Sequence, residues 1–142
     1  MTSPRSTRAR RGAVASGAAA LLAVGLLPGA GADAATSVKV RLSDFKVAPA
    51  ASSTGHGKVT FRVNNSAGME HEMVVIKTSR KAASLPTSSG GKASEKGSVG
   101  EVEVGAHKTR SLTLNLKKGH YALICNIGGH YKAGMHADFT VR

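Results

Sequence analysis

The sequence predicts an all-β fold, a β-sandwich of seven or eight strands, for the part of the chain that follows residue 34. From residue 35 onward, apolar residues recur at every second position, a period typical of half-buried strands and not of amphipathic helices. Clusters of Gly, Ser, Asn and Pro interrupt the pattern at short intervals, as turns do. The 142 residues include no Trp and five other aromatic residues, so a core of Val, Leu and Ile between two packed sheets is expected.

Seven segments carry the alternating pattern. In the clearest of them, Val59, Phe61 and Val63 face a core while the residues between them face water. The seven predicted strands cover residues 37–47, 58–64, 71–77, 100–104, 110–116, 119–124 and 137–141. Between the third and the fourth, residues 78–98 are rich in Ser, Gly, Lys and Ala and lack periodicity. We expect a mobile excursion there, with room for a short helical turn.

The first 34 residues have the order of a cleavable export signal. Residues 5–11 are cationic, residues 12–28 are apolar and uncharged, and Ala32-Asp33-Ala34 supplies an A-x-A pattern. The apolar run is rich in Gly and Ala and shorter than the roughly 20 residues that a bilayer span needs. Residues 1–34 are therefore predicted to be removed, by the Sec or the twin-arginine route, which leaves 35–142 as one domain.

The predicted mature domain is basic and exported. Removal of residues 1–34 takes away four arginines and Asp33, which leaves sixteen cations against seven anions. We expect a monomer without stable membrane insertion, located in the periplasm, in the cell envelope or outside the cell. Nucleic-acid binding is not expected, because the cations are scattered and the few aromatic residues form no stacking surface.

The lone cysteine requires an explanation. Cys125 is the only cysteine of the chain, so no intramolecular disulfide forms. An exposed thiolate in an oxidising compartment oxidises or pairs with another chain. Burial or a bound metal would protect it.

The residues after Cys125 favour the metal. Cys125, His130 and Met135 are spaced C-x4-H-x4-M, and three glycines within this loop allow the tight turns that aim side chains at one point. His71 begins a predicted strand directly after a turn, and a sandwich could place it at the same end. Two imidazoles, one thiolate and a weak axial thioether are the ligands of a blue-copper electron-transfer site, whereas zinc rarely uses Met.

The chain resembles the cupredoxin family of small blue copper proteins. The family's order is matched by the strand at 58–64, by the turn to His71-Glu72, by Lys118-Gly119-His120-Tyr121 and by the 125–135 loop. The long loop is more similar to rusticyanin-, auracyanin- and sulfocyanin-like members than to plastocyanin. The resemblance implies a Greek-key sandwich with one type 1 copper that alternates between Cu(I) and Cu(II). It implies that His71 and His130 bind through ring nitrogens, Cys125 as thiolate and Met135 as axial ligand.

The resemblance also implies a function and a partner. The protein would be a one-electron carrier outside the cytoplasm and not an enzyme, with no catalytic residues. Electrons would pass through His130, which would reach the surface within an apolar patch formed by Ile127, Gly128, Gly129, Ala133 and Gly134. The positive charge would favour an acidic redox partner, a cytochrome or an oxidase domain. The residue after the first ligand, often Asn, Ser or Thr in the family and a tie between the ligand loops, is Glu72 here.

Several residues of the right chemical type are expected to lie outside the site. Met73 shares the inward face of its predicted strand with His71 and Val75, and we expect it in the core. His136 faces the opposite side of its strand from a ligand. Three further histidines lie in predicted turns and are expected to be solvated: His56, His107 and His120.

Two other functions remain open at this stage. A copper carrier or storage protein that delivers copper to an envelope cuproenzyme would use the same soft ligands, and the segment from Met69 to Met73 hints at such a role. A nucleophilic enzyme could be built from Cys125 and His130. It would leave Met135 and His71 without a role and the exported thiolate unprotected.

Overall fold

The structure, a computed structural model, describes residues 35–142. These residues form nine strands in two sheets and one 3-10 turn, which confirms the all-β sandwich. The strands are β1 (Thr36–Ser43), β2 (Lys46–Pro49), β3 (Ser53–Thr54), β4 (Gly57–Asn65), β5 (His71–Lys77), β6 (Ser98–Val104), β7 (Thr109–Leu116), β8 (Gly119–Ile124) and β9 (His136–Val141). The predicted export signal lies outside the described residues. Between residues 35 and 142 the structure has no helix that is long and apolar enough to span a bilayer.

The strand order is that of a Greek-key sandwich. The first sheet has the order β2-β1-β4-β7 and the second β3-β9-β8-β5-β6, so the chain crosses between the sheets after β2, β3, β4, β6 and β7. In the second sheet β8 pairs antiparallel with both β5 and β9. The start of β5, the end of β8 and the start of β9 therefore meet at one end of the sandwich.

The structure has two strands more than the seven alternating segments of the sequence. The segment predicted as one strand, 37–47, is broken at Asp44 and Phe45, and Phe45 has a φ of 57°. This left-handed backbone reverses the chain, so that β2 pairs antiparallel with β1. The additional strand β3 lies in a predicted loop and pairs with β9 through two residues, too few for an alternating pattern.

The core between the sheets is built from the alternating residues. Phe61 of β4 and Phe139 of β9 are fully buried and meet edge to face, with ring centroids 5.5 Å apart. Met73 is also fully buried, as expected. Aliphatic side chains from both sheets surround them: Val38, Val40, Leu42, Val59, Val63, Val75, Leu123 and Val141. The aromatic pair joins the two sheets near the middle of the core.

The excursion between β5 and β6 packs against the second sheet instead of projecting from it. It contains the short helical turn, Ala82–Ser84, and it buries Ala82, Leu85 and Ala93 against Ile76 and Ile124. The backbone N–H of Lys77 donates to the carbonyl of Gly97 at 2.8 Å and closes the two ends of the excursion. The excursion is therefore anchored to the second sheet, in contrast to the mobile segment that the sequence predicts.

His120 is one of these anchors, and its predicted solvated role is wrong. Its Nδ1 lies 2.9 Å from the carbonyl oxygen of Thr78 and its Nε2 2.8 Å from Oδ1 of Asp138. The same carboxylate oxygen accepts the backbone N–H of Ala82 at 2.7 Å. The side chains of β8 and β9 thus hold the beginning of the excursion. The sequence could not reveal this because the three partners are far apart along the chain.

The aromatic pair yields a stability prediction. Phe61→Leu should lower the free energy of unfolding by about 1–2 kcal/mol, because it removes ring contacts across the two sheets. The same substitution at Phe45, which is 49% exposed, should change it by less than about 0.5 kcal/mol. Urea unfolding of the copper-free protein measures both. Equal losses would contradict a core built around Phe61.

Candidate metal centre

Cys125 begins a loop that is closed on itself by backbone hydrogen bonds. Cys125 follows the last residue of β8, and its backbone N–H donates to the carbonyl of Met135 at 3.0 Å. The N–H of Met135 donates to the carbonyl of His130 at 3.1 Å. Gly134 has a φ of +112°, and a Cβ there would lie 3.3 Å from the carbonyl oxygen of Phe45. The spacing of the three sequence-predicted ligands is therefore fixed by the fold of this loop.

His71 is held by the turn that precedes it. The side-chain amide of Asn65, at the end of β4, donates to the carbonyl of Met69 at 2.8 Å and to that of Val104 at 2.9 Å. Asn65 is fully buried, and its bonds join the turn to the neighbouring strand β6. His71 opens β5 with its side chain on the inner face and no exposed surface.

The structure brings His71, Cys125 and His130 together. Their ligating atoms all lie within 4.8 Å of one another. The two Nδ1 atoms are 3.2 Å apart, and Sγ of Cys125 lies 3.4 Å from Nδ1 of His130 and 3.8 Å from Nδ1 of His71. Two imidazole nitrogens and a sulfur that face one point form a donor set suited to a soft or borderline cation. These residues fit a bound copper ion.

Met135 is fully buried in the same hydrophobic cluster as Cys125. Its backbone bonds to Cys125 and to His130 place it at the closing end of the loop. A thioether in this cluster is a weak sulfur donor in an otherwise apolar environment.

His130 is the member of the set that approaches the surface. His71 and Cys125 have no exposed surface, whereas His130 is half-buried. The ring of Phe45 meets the His130 ring edge to face at 6.0 Å and is itself 49% exposed. Gly128, Gly129 and Ala133 are exposed beside it, and Ile127 and Gly134 are half-buried. The expected apolar surface around His130 is present, with Phe45 as an addition that the sequence did not indicate.

Burial changes the protonation of the cluster. It lowers the pKa of His71, the charge of His130 lowers this pKa further, and Asp44 partly opposes both. The His71 ring is therefore neutral at pH 7, with a nitrogen lone pair available for a metal. Burial raises the pKa of the Cys125 thiol, and this effect outweighs the backbone N–H groups of Glu72 and Ile127, which lower the pKa. The metal-free thiol is consequently protonated and protected from oxidation.

Glu72 ties the two ligand segments together. Its backbone N–H donates to Sγ of Cys125 at 3.4 Å, and its Oε1 accepts the backbone N–H of Asn126 at 3.0 Å. Burial raises the pKa of Glu72, and the nearby carboxylates of Glu95 and Glu101 raise it further. The hydrogen bond from the backbone of Asn126 lowers this pKa but does not cancel the rise. A carboxylate thus makes the connection for which the family often uses Asn, Ser or Thr.

Asn126 is a contributor that sequence reasoning missed. Its side chain accepts the N–H of Ala93 at 2.7 Å and donates to the carbonyl of Ala93 at 3.0 Å and to Oε1 of Glu95 at 2.6 Å. Because Asn126 directly follows Cys125, these hydrogen bonds join the excursion to the start of the ligand loop. A polar residue directly after Cys125 was the available signal, but its partners lie in a segment whose path the sequence does not predict.

The other histidines lie outside the cluster in the described part of the chain. His56 contacts the carbonyl of Arg142 through Nδ1 at 2.9 Å. The ring of His136 packs against that of Tyr131, with centroids 5.4 Å apart. His107 is exposed in a turn, with a φ of 57°.

A comparison with known families now decides the assignment. The profile of the copper binding proteins of the plastocyanin/azurin family matches residues 34–142. The chain belongs to this family. This cupredoxin has one type 1 copper as its cofactor, in agreement with the two imidazoles and the thiol that the fold brings together.

Solved structures of similar fold include blue copper proteins. Auracyanin of Roseiflexus castenholzii has a TM-score of 0.58 at 18% identity over 77% of this chain and 98% of its own. Rusticyanin of Thiobacillus ferrooxidans has a TM-score of 0.56 at 16% identity over 77% of this chain and 79% of its own. The multicopper oxidase McoA of Aquifex aeolicus has a TM-score of 0.52 at 16% identity over 78% of this chain and 30% of its own. These likenesses establish the fold.

A search of curated protein sequences gives no significant match.

The two roles of Glu72 can be separated by mutation. Glu72→Gln keeps an oxygen acceptor for Asn126 and removes the negative charge, so the pKa of the Cys125 thiol should fall in the copper-free protein while stability changes little. Glu72→Ala removes the acceptor as well, leaves a buried N–H without a partner and should cost about 1–3 kcal/mol of unfolding free energy. Thiolate absorbance against pH and urea unfolding measure the two effects.

Glu103→Gln is the matched control. Glu103 lies opposite Glu72 in the β5–β6 pair but is exposed. It should leave both the thiol pKa and the stability nearly unchanged. Equal stability of Glu72→Gln and Glu72→Ala would mean that the bond to Asn126 does not tie the segments.

Proposed function

We propose that this cupredoxin is a one-electron carrier outside the cytoplasm and that His71, Cys125, His130 and Met135 hold its copper. The observation that carries the proposal is the convergence of two Nδ1 atoms and one Sγ within 4.8 Å at a buried point. Copper bound there supplies the Cu(I)/Cu(II) couple. The chain itself fixes the positions of the donor atoms and leaves His130 accessible to a partner.

The chain holds the donors rigidly. The bonds of Cys125 and Met135 close the loop, and the Glu72–Asn126 bond joins it to the segment of His71. Donor atoms that keep their positions in both oxidation states need little rearrangement when an electron arrives or leaves. Fast electron transfer with no bond making or breaking in a substrate follows from this rigidity, and we infer that the protein is not itself an enzyme.

His130 is the proposed route for electrons. Its half-buried ring lies among exposed glycines, so a partner can bring its own redox centre close to the ring. Lys132 is exposed on the same loop, and the chain carries twenty cations against eight anions. These charges favour an acidic partner, a cytochrome or an oxidase domain, that binds a monomer of this protein in a salt-dependent manner.

Copper delivery is the alternative function. Met69 is 47% exposed and lies two residues before His71, where it could help to capture or release a soft cation. The full burial of His71, Cys125 and Met135 favours a resident ion instead, because exchange would require the loop to open. The two functions differ in whether the oxidised form is stable.

The visible spectrum tests the proposal. Addition of Cu(II) to the purified protein should give an intense blue thiolate-to-copper band that bleaches with ascorbate and returns on oxidation. Cys125→Ser should abolish the band and keep the fold, because the side chain loses its sulfur while its volume changes little. Absorption and circular dichroism spectra measure the two properties.

Met69→Leu is the matched control for this experiment. It removes an exposed thioether outside the proposed ligand set and should leave the blue band unchanged. A blue Cys125→Ser variant would refute the ligand assignment. Tight Cu(I) binding without a blue oxidised form would favour copper delivery, and so would a large loss of affinity in Met69→Leu.

The export proposal is tested by processing. We infer that residues 1–34 are a cleavable signal, so the protein recovered outside the cytoplasm should begin at Ala35. Ala34→Arg should block cleavage, because the small residue before the cut is lost. Ala50→Arg, at an exposed position of the domain, should be processed normally. Intact mass spectrometry of the exported protein measures the start. Recovery of the full-length chain outside the cytoplasm would refute cleavage.

A further inference from the structure

The outer face of the first sheet is uniformly basic. Its strands alternate buried aliphatic residues with exposed polar ones, and the four strands contain no acidic residue. We define the cationic face by the five exposed cations that lie on its outward side: Lys39, Arg41, Lys46, Lys58 and Arg62. The acidic residues of the strands lie in the second sheet: Glu72, Glu101, Glu103 and Asp138. Among the strands, negative charge is therefore confined to the second sheet.

The cations of this face are not neutralised within the described part of the chain. Lys39 and Arg62 are direct partners in the parallel β1–β4 pair, so two like charges stand opposite each other. The one ion pair between residues 35 and 142 joins His120 to Asp138, in the second sheet. Like charges in this arrangement repel, and a negative surface in contact with the face would relieve that repulsion.

The shape of the face favours headgroups over a protein. A depression of about 380 Å³, open to solvent, lies among Lys39, Arg41 and Arg62. No aromatic residue is among the others that complete its lining: Val40, Ala48, Ala50, Asn64 and Thr109. Stable protein interfaces are centred on aromatic and large apolar side chains, and the outward residues of these strands include none. Many separate anionic groups spread over a surface match such a face better.

We propose that the cationic face binds the surface of an anionic phospholipid bilayer through its phosphate headgroups. The face lies along the side of the sandwich, whereas His71, Cys125 and His130 lie at the end where β5, β8 and β9 meet. Adsorption through the face leaves this end open to a redox partner. The proposal does not depend on which residues bind copper.

Vesicle binding tests the proposal. The processed chain, which begins at Ala35, is sedimented with vesicles of equal phosphatidylglycerol and phosphatidylcholine, and with vesicles of phosphatidylcholine alone. It should bind the anionic vesicles more strongly, and about 0.5 M NaCl should release the part of the binding that comes from charge. Each cation at an anionic membrane contributes a factor of about five to the affinity. The triple variant Lys39→Gln/Arg41→Gln/Arg62→Gln should therefore bind roughly 100-fold more weakly.

The control removes the same net charge from the other side. Arg80→Gln/Lys81→Gln/Lys96→Gln changes three exposed cations of the excursion, which covers the second sheet. It should keep nearly the full affinity, and melting curves verify that both variants fold.

The outcomes are distinguishable from those of the copper proposal. Equal weakening by the two triple variants would reduce the effect to net charge and overturn the assignment to this face. No preference for anionic vesicles, or a preference that is the same in both variants and the parent, would overturn it as well. Binding of soluble polyphosphate or of an acidic protein in place of vesicles would also overturn it. The blue spectrum of the copper-loaded protein should be the same in all variants, whichever of these results is found.

Discussion

The closure of the loop from Cys125 to Met135 by backbone hydrogen bonds is the constraint on which the site depends. The bonds from Cys125 to Met135 and from Met135 to His130 make the loop a fixed unit between the end of β8 and the start of β9. The sandwich must in addition place His71, the first residue of β5, next to this loop. It does so because β5 pairs with β8, and the turn before β5 is held by the buried amide of Asn65. Fold and site are therefore two consequences of the same strand order.

The same geometry explains how a reactive sulfur is protected within the fold. Cys125 is fully buried, and burial keeps its thiol protonated when no cation is present. The neighbouring His71 is neutral near pH 7 for the same reason, since burial disfavours its charged form. A metal that replaces the thiol proton meets a His71 ring nitrogen that is already deprotonated. The protein thus combines chemical protection with readiness to bind.

The sequence predicted those features that depend on short spacing or on regular alternation. The strands at 58–64 and 110–116 follow the period of two, and the spacing of Cys125, His130 and Met135 is local. His71 is 54 residues away from Cys125, and its position required the topology that the family resemblance implied. The contacts of Asn126 and His120 could not be predicted, because both depend on the path of an excursion that has no periodic pattern. Glu72 accepts the backbone N–H of Asn126 at 3.0 Å, and this contact between two distant segments could not be predicted from the sequence.

The excursion also has a consequence for the electrostatics of the thiolate. Asn126 joins the excursion to the residue beside Cys125, and Gly91 of the excursion approaches the backbone of Gly129. Together these contacts place the excursion against the ligand loop, on the side where the half-buried Glu72 lies. Charges such as that of Glu72 act more strongly on the sulfur in such surroundings than they would in water. A segment outside the proposed ligand set therefore contributes to the burial in which the charge of Glu72 acts on the sulfur.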